Sequence, residues 1–239
     1  MYMYNYKDIL VDRRGATLGS NMTTNSLIDE VEIGKCYKVT MKGFQKVVDN
    51  SWRYIIPKRW SNNSDGISRV ANILGDSQYL VLDNDVEIPV ADSSYLWYYG
   101  VKLLDEGEVI CFETDCDRLP LFDMEIGFNY VSEYIMKIGG GVYLEKHERP
   151  HLYICANEKS GGYLCLGKEC SEGISISAFK VPFGKILYIP DNVIHNDCFL
   201  TGEYKVIYSK TKKYNTLLLV DKNKDPINVT IKKNDANIL

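Results

Sequence analysis

Histidine is scarce: the chain of 239 residues holds three, and tryptophan is equally rare. No apolar run reaches the roughly 18 residues that a membrane helix needs, so no membrane partner is expected. A basic excess is missing as well. The 28 Lys and Arg against 32 Asp and Glu give a net charge of −4, which argues against nucleic acid as a partner. The one dense lysine cluster, Lys210, Lys212 and Lys213, reads as a solvated strand end. Met1 to Leu10 is tyrosine-rich, interrupted by Asn5, Lys7 and Asp8, and lacks the basic-then-apolar layout of a secretion signal. Seven cysteines, an odd number, sit at irregular spacings. They are expected to be reduced thiols, with a cytoplasmic location. Cys111 to Cys116 and Cys165 to Cys170 have knuckle-like spacing, but each pair is flanked by apolar, strand-like sequence where buried thiols are common.

What is present is strand-forming sequence. Apolar composition of 45% is enough for a real core, and 18 tyrosines suit strands. Residues 1–30 read as a polar, turn-prone N-terminal arm. From Glu32 onward, short apolar runs bounded by Gly, Asn, Asp and Ser follow one another: Cys36–Met41, Tyr54–Ile56, Tyr79–Leu82, Leu96–Leu104 and Val109–Phe112. One short helix is expected over Gly66–Gly75. Residues 117–125, with Asp117, Pro120 and Asp123, read as a connection between two halves. Beyond it the predicted strands are Phe128–Lys137, Gly141–Lys146, His151–Ala156, Tyr163–Leu166, Ile174–Pro182, Ile186–Ile189, Glu203–Ser209, Thr216–Val220 and Ile227–Ile231. Turn signals recur between them every eight to twelve residues, the rhythm of an antiparallel sandwich or barrel. The expected organisation is the arm, a β-rich N-terminal domain over 31–125 for which a degenerate barrel is one option, and a barrel over 126–239.

The three histidines carry the chemistry. Two lie four residues apart, in Glu145-Lys146-His147-Glu148-Arg149-Pro150-His151-Leu152-Tyr153, and His195 follows Pro190-Asp191-Asn192. Alternation along a strand puts Glu145 and His147 on one face. Pro150 cannot donate to a ladder, so Arg149-Pro150 marks a turn or bulge. His151, Tyr153 and Cys155 then share a face on the next stretch. A chain that folds back there lets both imidazoles and the Glu145 carboxylate converge, with His195 arriving from a distant strand. Imidazole nitrogens plus a carboxylate oxygen suit one divalent transition metal: Fe, Mn, Ni or Zn. Glu148 and Arg149 read as turn residues. Tyr153 is a candidate general acid or a hydrogen-bond donor behind the ligands. Cys155 and Cys198 are candidate pocket thiols, and the register of Tyr143 and Tyr188 stays open.

These segments resemble the two motifs of the cupin superfamily over about residues 128–210. In the second, Gly184 is followed by five residues, Pro190, Asp191, Asn192, two residues and His195. Asn192 stands where the family has a turn glycine, and Asn is the next most tolerant residue for positive φ. Phe199 stands where the family has an asparagine. In the first, Gly139 precedes Glu145-x-His147 by five residues, and His151 follows after three more. Glutamate and the outer histidine have traded places relative to the family. A register from Gly141 would put Arg149 in a ligand position and lose a donor. The resemblance implies an all-β, double-stranded β-helix or jelly-roll barrel with a β-rich addition at the N-terminus. It implies metal ligands at Glu145, His147, His151 and His195, and a homodimer. Trp52, Trp60 and Trp97 are candidate interface anchors.

Three functions follow as expectations. The first is a metal-dependent enzyme acting on a small polar metabolite by Lewis-acid activation, with Tyr153 or Glu145 moving a proton. Enolate-type isomerase, epimerase or lyase chemistry is slightly favoured there over dioxygenase chemistry. The second is a metal-free sugar-nucleotide epimerase or ketoisomerase, with His147 or His151 as base and Tyr153 as acid. The third is a non-enzymatic ligand-binding module, which would need no proton-moving residue.

Overall fold

The computed structural model describes residues 27–32, 36–41, 43–46, 54–55, 78–112, 118–137, 139–155, 157–171, 173–207 and 214–232. The expected helix at 66–75, residues 1–26 of the expected arm, Trp52, Trp60, Cys116, Asp117 and the Lys210, Lys212 and Lys213 cluster lie outside the described residues.

Among the described residues the chain is all-β apart from short helical turns at Ser93–Tyr95, Leu96–Tyr99 and Tyr130–Ile135. Two large sheets curl as half-barrels. In the first, the strands Leu27–Glu32, Arg118–Ile126, Leu200–Ile207, His151–Cys155, Lys185–Ile189 and Lys102–Asp105 lie side by side in that order. In the second, the order is Gly173–Phe179, Leu164–Cys170, Ile194–Asn196, Tyr143–His147, Tyr214–Val220 and Gln78–Val81. The pairings are antiparallel except the last, Tyr214–Val220 with Gln78–Val81, which is parallel. Between residues 143 and 220 the chain passes back and forth between the sheets, so residues close in sequence face each other across the interior.

Alternation decides what goes where. On His151–Cys155, Tyr153 and Cys155 enter one core cluster together with Leu187, Ile189, Tyr204 and Val206 of the neighbouring strands. Leu152 and Ile154 point the other way, into a second cluster with Ile186, Tyr188 and Ile207. A four-stranded sheet of Gly43–Lys46, Cys36–Thr40, Val109–Cys111 and Tyr54–Ile55 contributes Tyr37 and Ile110 to that second cluster, which Phe112 joins. The His151–Cys155 strand is therefore buried on both faces, which is why it reads as a continuous apolar run. Each fully buried apolar side chain of this kind contributes about 1.5–3 kcal/mol.

Several sequence expectations are corrected. The expected boundary at residue 125 runs through one nine-residue strand, Arg118–Ile126. The expected N-terminal domain over 31–125 supplies Lys102–Asp105 to the first sheet and Gln78–Val81 to the second. The barrel of the described residues is thus not confined to 126–239. Pro120 suggested a connection, but it lies inside the strand Arg118–Ile126 and pairs with Glu30, while the ladder with Leu200–Ile207 begins at Leu121. Residues 27–30, assigned to the arm, pair with Arg118–Ile126. Phe128–Lys137 is not a strand. Its helical turn buries Tyr130, Tyr134 and Ile135, with the two tyrosine rings stacked at 5.6 Å. Leu96–Leu104 splits into the turn Leu96–Tyr99 and the strand Lys102–Asp105, separated by left-handed Gly100. Trp97 is exposed on the described chain.

The thiols are not uniform. Cys111 is disulfide-bonded, which overturns the expectation that all seven are reduced. Antiparallel pairing sets the Cys36 backbone directly opposite Cys111. Cys165 and Cys170 are free thiols on one strand, the first buried and the second exposed. Burial pushes the Cys165 thiol far up its scale, the mark of an inert core group. No helix among the described residues is long and apolar enough to cross a membrane.

Candidate metal centre

Two corners at one end of the barrel build the site. The first is Glu148-Arg149-Pro150, where the chain leaves Tyr143–His147 in one sheet and enters His151–Cys155 in the other. Proline at this corner sits between two ladders and deprives neither of a donor. The crossing turns two histidines four residues apart to face each other, with ring centroids 4.4 Å apart. The second corner is Pro190-Asp191-Asn192, where the chain leaves Lys185–Ile189 and enters Ile194–Asn196. Asn192 has φ 60°, the left-handed conformation anticipated from its place in the motif. Its N–H donates to the His147 carbonyl at 2.6 Å and ties the two corners together. Glu145 and His195 are direct cross-strand partners.

The three histidines of the chain thus meet. His195 stands 5.0 Å from His147 and 4.8 Å from His151 between ring centroids. All three are buried. One donor nitrogen from each lies within 4.8 Å of the other two. A triangle with sides no longer than that fits in a circle of about 2.8 Å radius, against about 2.0–2.1 Å for a zinc–imidazole bond. Side-chain shifts of under about 1 Å would bring all three to bonding distance. The three histidines could hold one metal ion.

Each imidazole is steered from outside through one nitrogen, the arrangement that fixes metal-binding histidines. His195 Nδ1 donates to the Val193 carbonyl at 2.9 Å. His147 donates to the backbone of Arg149. His151 Nδ1 lies 3.1 Å from the Tyr153 hydroxyl. The His195 Nε2 atom is buried and makes no hydrogen bond of good geometry; Glu145 Oε1 stands 3.5 Å from it, within ion-pair range. With no closer contact than this, the nitrogen is a donor that a cation could use.

Of the other anticipated residues, Glu145 stands beside His195 but outside the group of mutually close donors. Lys146 does not neutralise it, because Lys146 points to the opposite face and pairs with Glu169 at 2.9 Å. Tyr153 is fully buried, and its hydroxyl donates to Asp197 Oδ2 at 3.2 Å. Tyr143 points inward and reaches Asp197 Oδ1 at 3.5 Å, whereas Tyr188 faces the second core cluster. Cys155 turns to the Asn157 carbonyl. Asp197 was not anticipated. Its signal was available: it lies two residues past His195, on the same face if the strand continues.

The histidines differ in basicity. Burial, with the charge of His195 added, holds His147 well below its ordinary value despite the bond to Arg149. At His195 burial acts in the same downward direction, but the Glu145 carboxylate, the Val193 carbonyl and Asp197 outweigh it and raise the value. For the metal-free protein, the His147 contribution to stability is complete above about pH 6.5 and is lost as pH falls through its folded pKa. The His195 contribution is complete below about pH 6.5 and is lost as pH rises through its folded pKa. Glu145→Gln is expected to move the His195 ring titration to lower pH, read by NMR on metal-free protein. An unmoved titration would remove Glu145 from the site's electrostatics.

No protein-family model matches this chain, and no curated protein matches it.

Proposed function

We propose that this protein is a metal-dependent enzyme of the cupin type, a jelly-roll barrel holding one divalent transition ion through His147, His151 and His195. The observation that carries the reading is the convergence of three buried imidazoles, with His195 Nε2 making no contact closer than the 3.5 Å one to Glu145. Three imidazoles leave coordination positions open, and an open site is the catalytic rather than the structural kind. Bound there, the ion would supply Lewis-acid polarisation of a bidentate oxygen substrate such as a hydroxy-ketone or a carboxylate, as isomerases, epimerases and lyases working through an enolate require.

The residues of the chain do the rest. His147, kept neutral by burial, offers a lone pair without first losing a proton. Glu145, partly exposed beside His195, is the carboxylate placed to be a fourth ligand or to move a proton at the substrate. Tyr153 is positioned to hold His151 rather than to meet substrate, because its hydroxyl is fully buried and engaged on two sides. That placement also disfavours the metal-free epimerase reading, in which this tyrosine is the acid. The site is tested by elemental analysis of protein purified without chelator. About one transition metal per chain supports the reading. Metal-free protein that converts a nucleotide sugar would replace it with the epimerase, and metal-free protein that only binds a ligand would replace it with a binding module.

A further inference from the structure

Behind His151 the buried polar groups run past Tyr153 to Asp197, which the metal reading does not use. We propose that Asp197 is a positioning residue: through the Tyr153 hydroxyl it fixes the proton of His151 on Nδ1 and so turns the Nε2 lone pair toward His147 and His195. The proton placement stands on the hydrogen bonds alone; its consequence for metal affinity rests on the function proposed above.

The argument is one of direction. The Tyr153 oxygen lies 3.1 Å from His151 Nδ1 and 3.2 Å from Asp197 Oδ2, and all three residues are buried. A phenol has one hydrogen to give, and a carboxylate can only accept. The hydrogen therefore goes to Asp197, and the phenol oxygen is left to accept from His151 Nδ1–H. The reverse order would set the Tyr153 oxygen against a carboxylate oxygen, lone pair to lone pair, in an interior where such a mismatch is costly. Tyr143 reaches the other carboxylate oxygen at 3.5 Å.

Asp197 is itself held in place. Its carbonyl accepts from Leu200 N–H at 3.0 Å. The preceding Asn196 caps the turn, its Oδ1 accepting from Cys198 N–H at 2.9 Å while its amide donates to the Tyr143 carbonyl at 2.6 Å. An asparagine at 197 would lose the direction, since its amide can turn and donate to Tyr153. Tyr153 would then give its hydrogen to His151 Nδ1, and the imidazole proton would sit on Nε2, where it blocks ligation.

The test is a two-bond nitrogen–proton NMR correlation on the labelled, metal-free full chain near pH 8, which reads the tautomer of each histidine. It is paired with zinc titration against a chromophoric chelator. The wild type is expected to show His151 protonated on Nδ1. Tyr153→Phe and Asp197→Asn are expected to populate the Nε2–H form and to bind zinc about 10–100-fold more weakly. A wild type protonated on Nε2, or folded variants that both keep the Nδ1–H form, would overturn the proposal. If neither variant folds, the wild-type spectrum alone decides. A wild type with Nδ1–H that takes up no zinc would sink the metal reading and leave this one standing.

Discussion

His195→Ala is expected to abolish the stabilisation that metal gives this protein. A ligand that binds only the native state, present at a hundred times its dissociation constant, adds about 2.7 kcal/mol. For a chain of this size that corresponds to a rise in Tm of roughly 5–10 °C. The measurement is the difference between melts with zinc and with chelator, so any cost of the substitution itself cancels. The wild type should show the full difference, and His195→Ala and His147→Ala essentially none. Two donors cannot replace three, and removing His195 also leaves Glu145 without its ring partner. A variant that keeps most of the metal-linked rise would mean that the ion sits elsewhere.

Gly162→Ala is expected to be the most destabilising single methyl addition in the barrel. Gly162 has φ 78° and pairs with Leu200 on the next strand. An added Cβ there would collide with the Phe199 carbonyl oxygen and lie 2.9 Å from the Leu200 Cα. Both obstacles are backbone and cannot rotate away. Gly184 supplies the control: its φ is 81°, and an added Cβ would meet nothing within 4 Å. Gly184→Ala should therefore show left-handed strain alone, about 1–2 kcal/mol, whereas Gly162→Ala should exceed about 4 kcal/mol. Urea denaturation of both variants reads the difference. Equal costs would show that the Phe199–Leu200 backbone yields, and with it the turn that holds Asp197.

The metal centre was legible because its signal is chemical. Three histidines stood in an otherwise histidine-free chain, two of them flanking Pro150, and a proline between alternating residues announced the corner that brings His147 to His151. Asn192 could be read for a left-handed turn for the same reason: few other residues tolerate that conformation. Asp197 was missed because one carboxylate among 32 acidic residues stands out only when it is read as two residues past His195, and the strand Ile194–Asn196 stops one residue short of it.

The fold was legible as rhythm and not as topology. Short apolar runs between turns gave most of the strands. They misread Phe128–Lys137 because the strand preference of its tyrosines is overridden by the packing of Tyr130, Tyr134 and Ile135, which share a helical face. The division into two halves failed for a different reason. Which strand joins which sheet depends on contacts distant in sequence, such as Lys102–Asp105 against Lys185–Ile189, and no local pattern records them. The Cys111 disulfide was likewise invisible, because thiol pairing follows from strand register.

X-ray absorption at the metal edge of zinc-loaded protein tests most directly whether His147, His151 and His195 share one ion. Three imidazole nitrogens at about 2.0–2.1 Å, reduced to two in His151→Ala, are the predicted result. A first shell of oxygen or sulfur alone, or an imidazole count unchanged by that substitution, would contradict it.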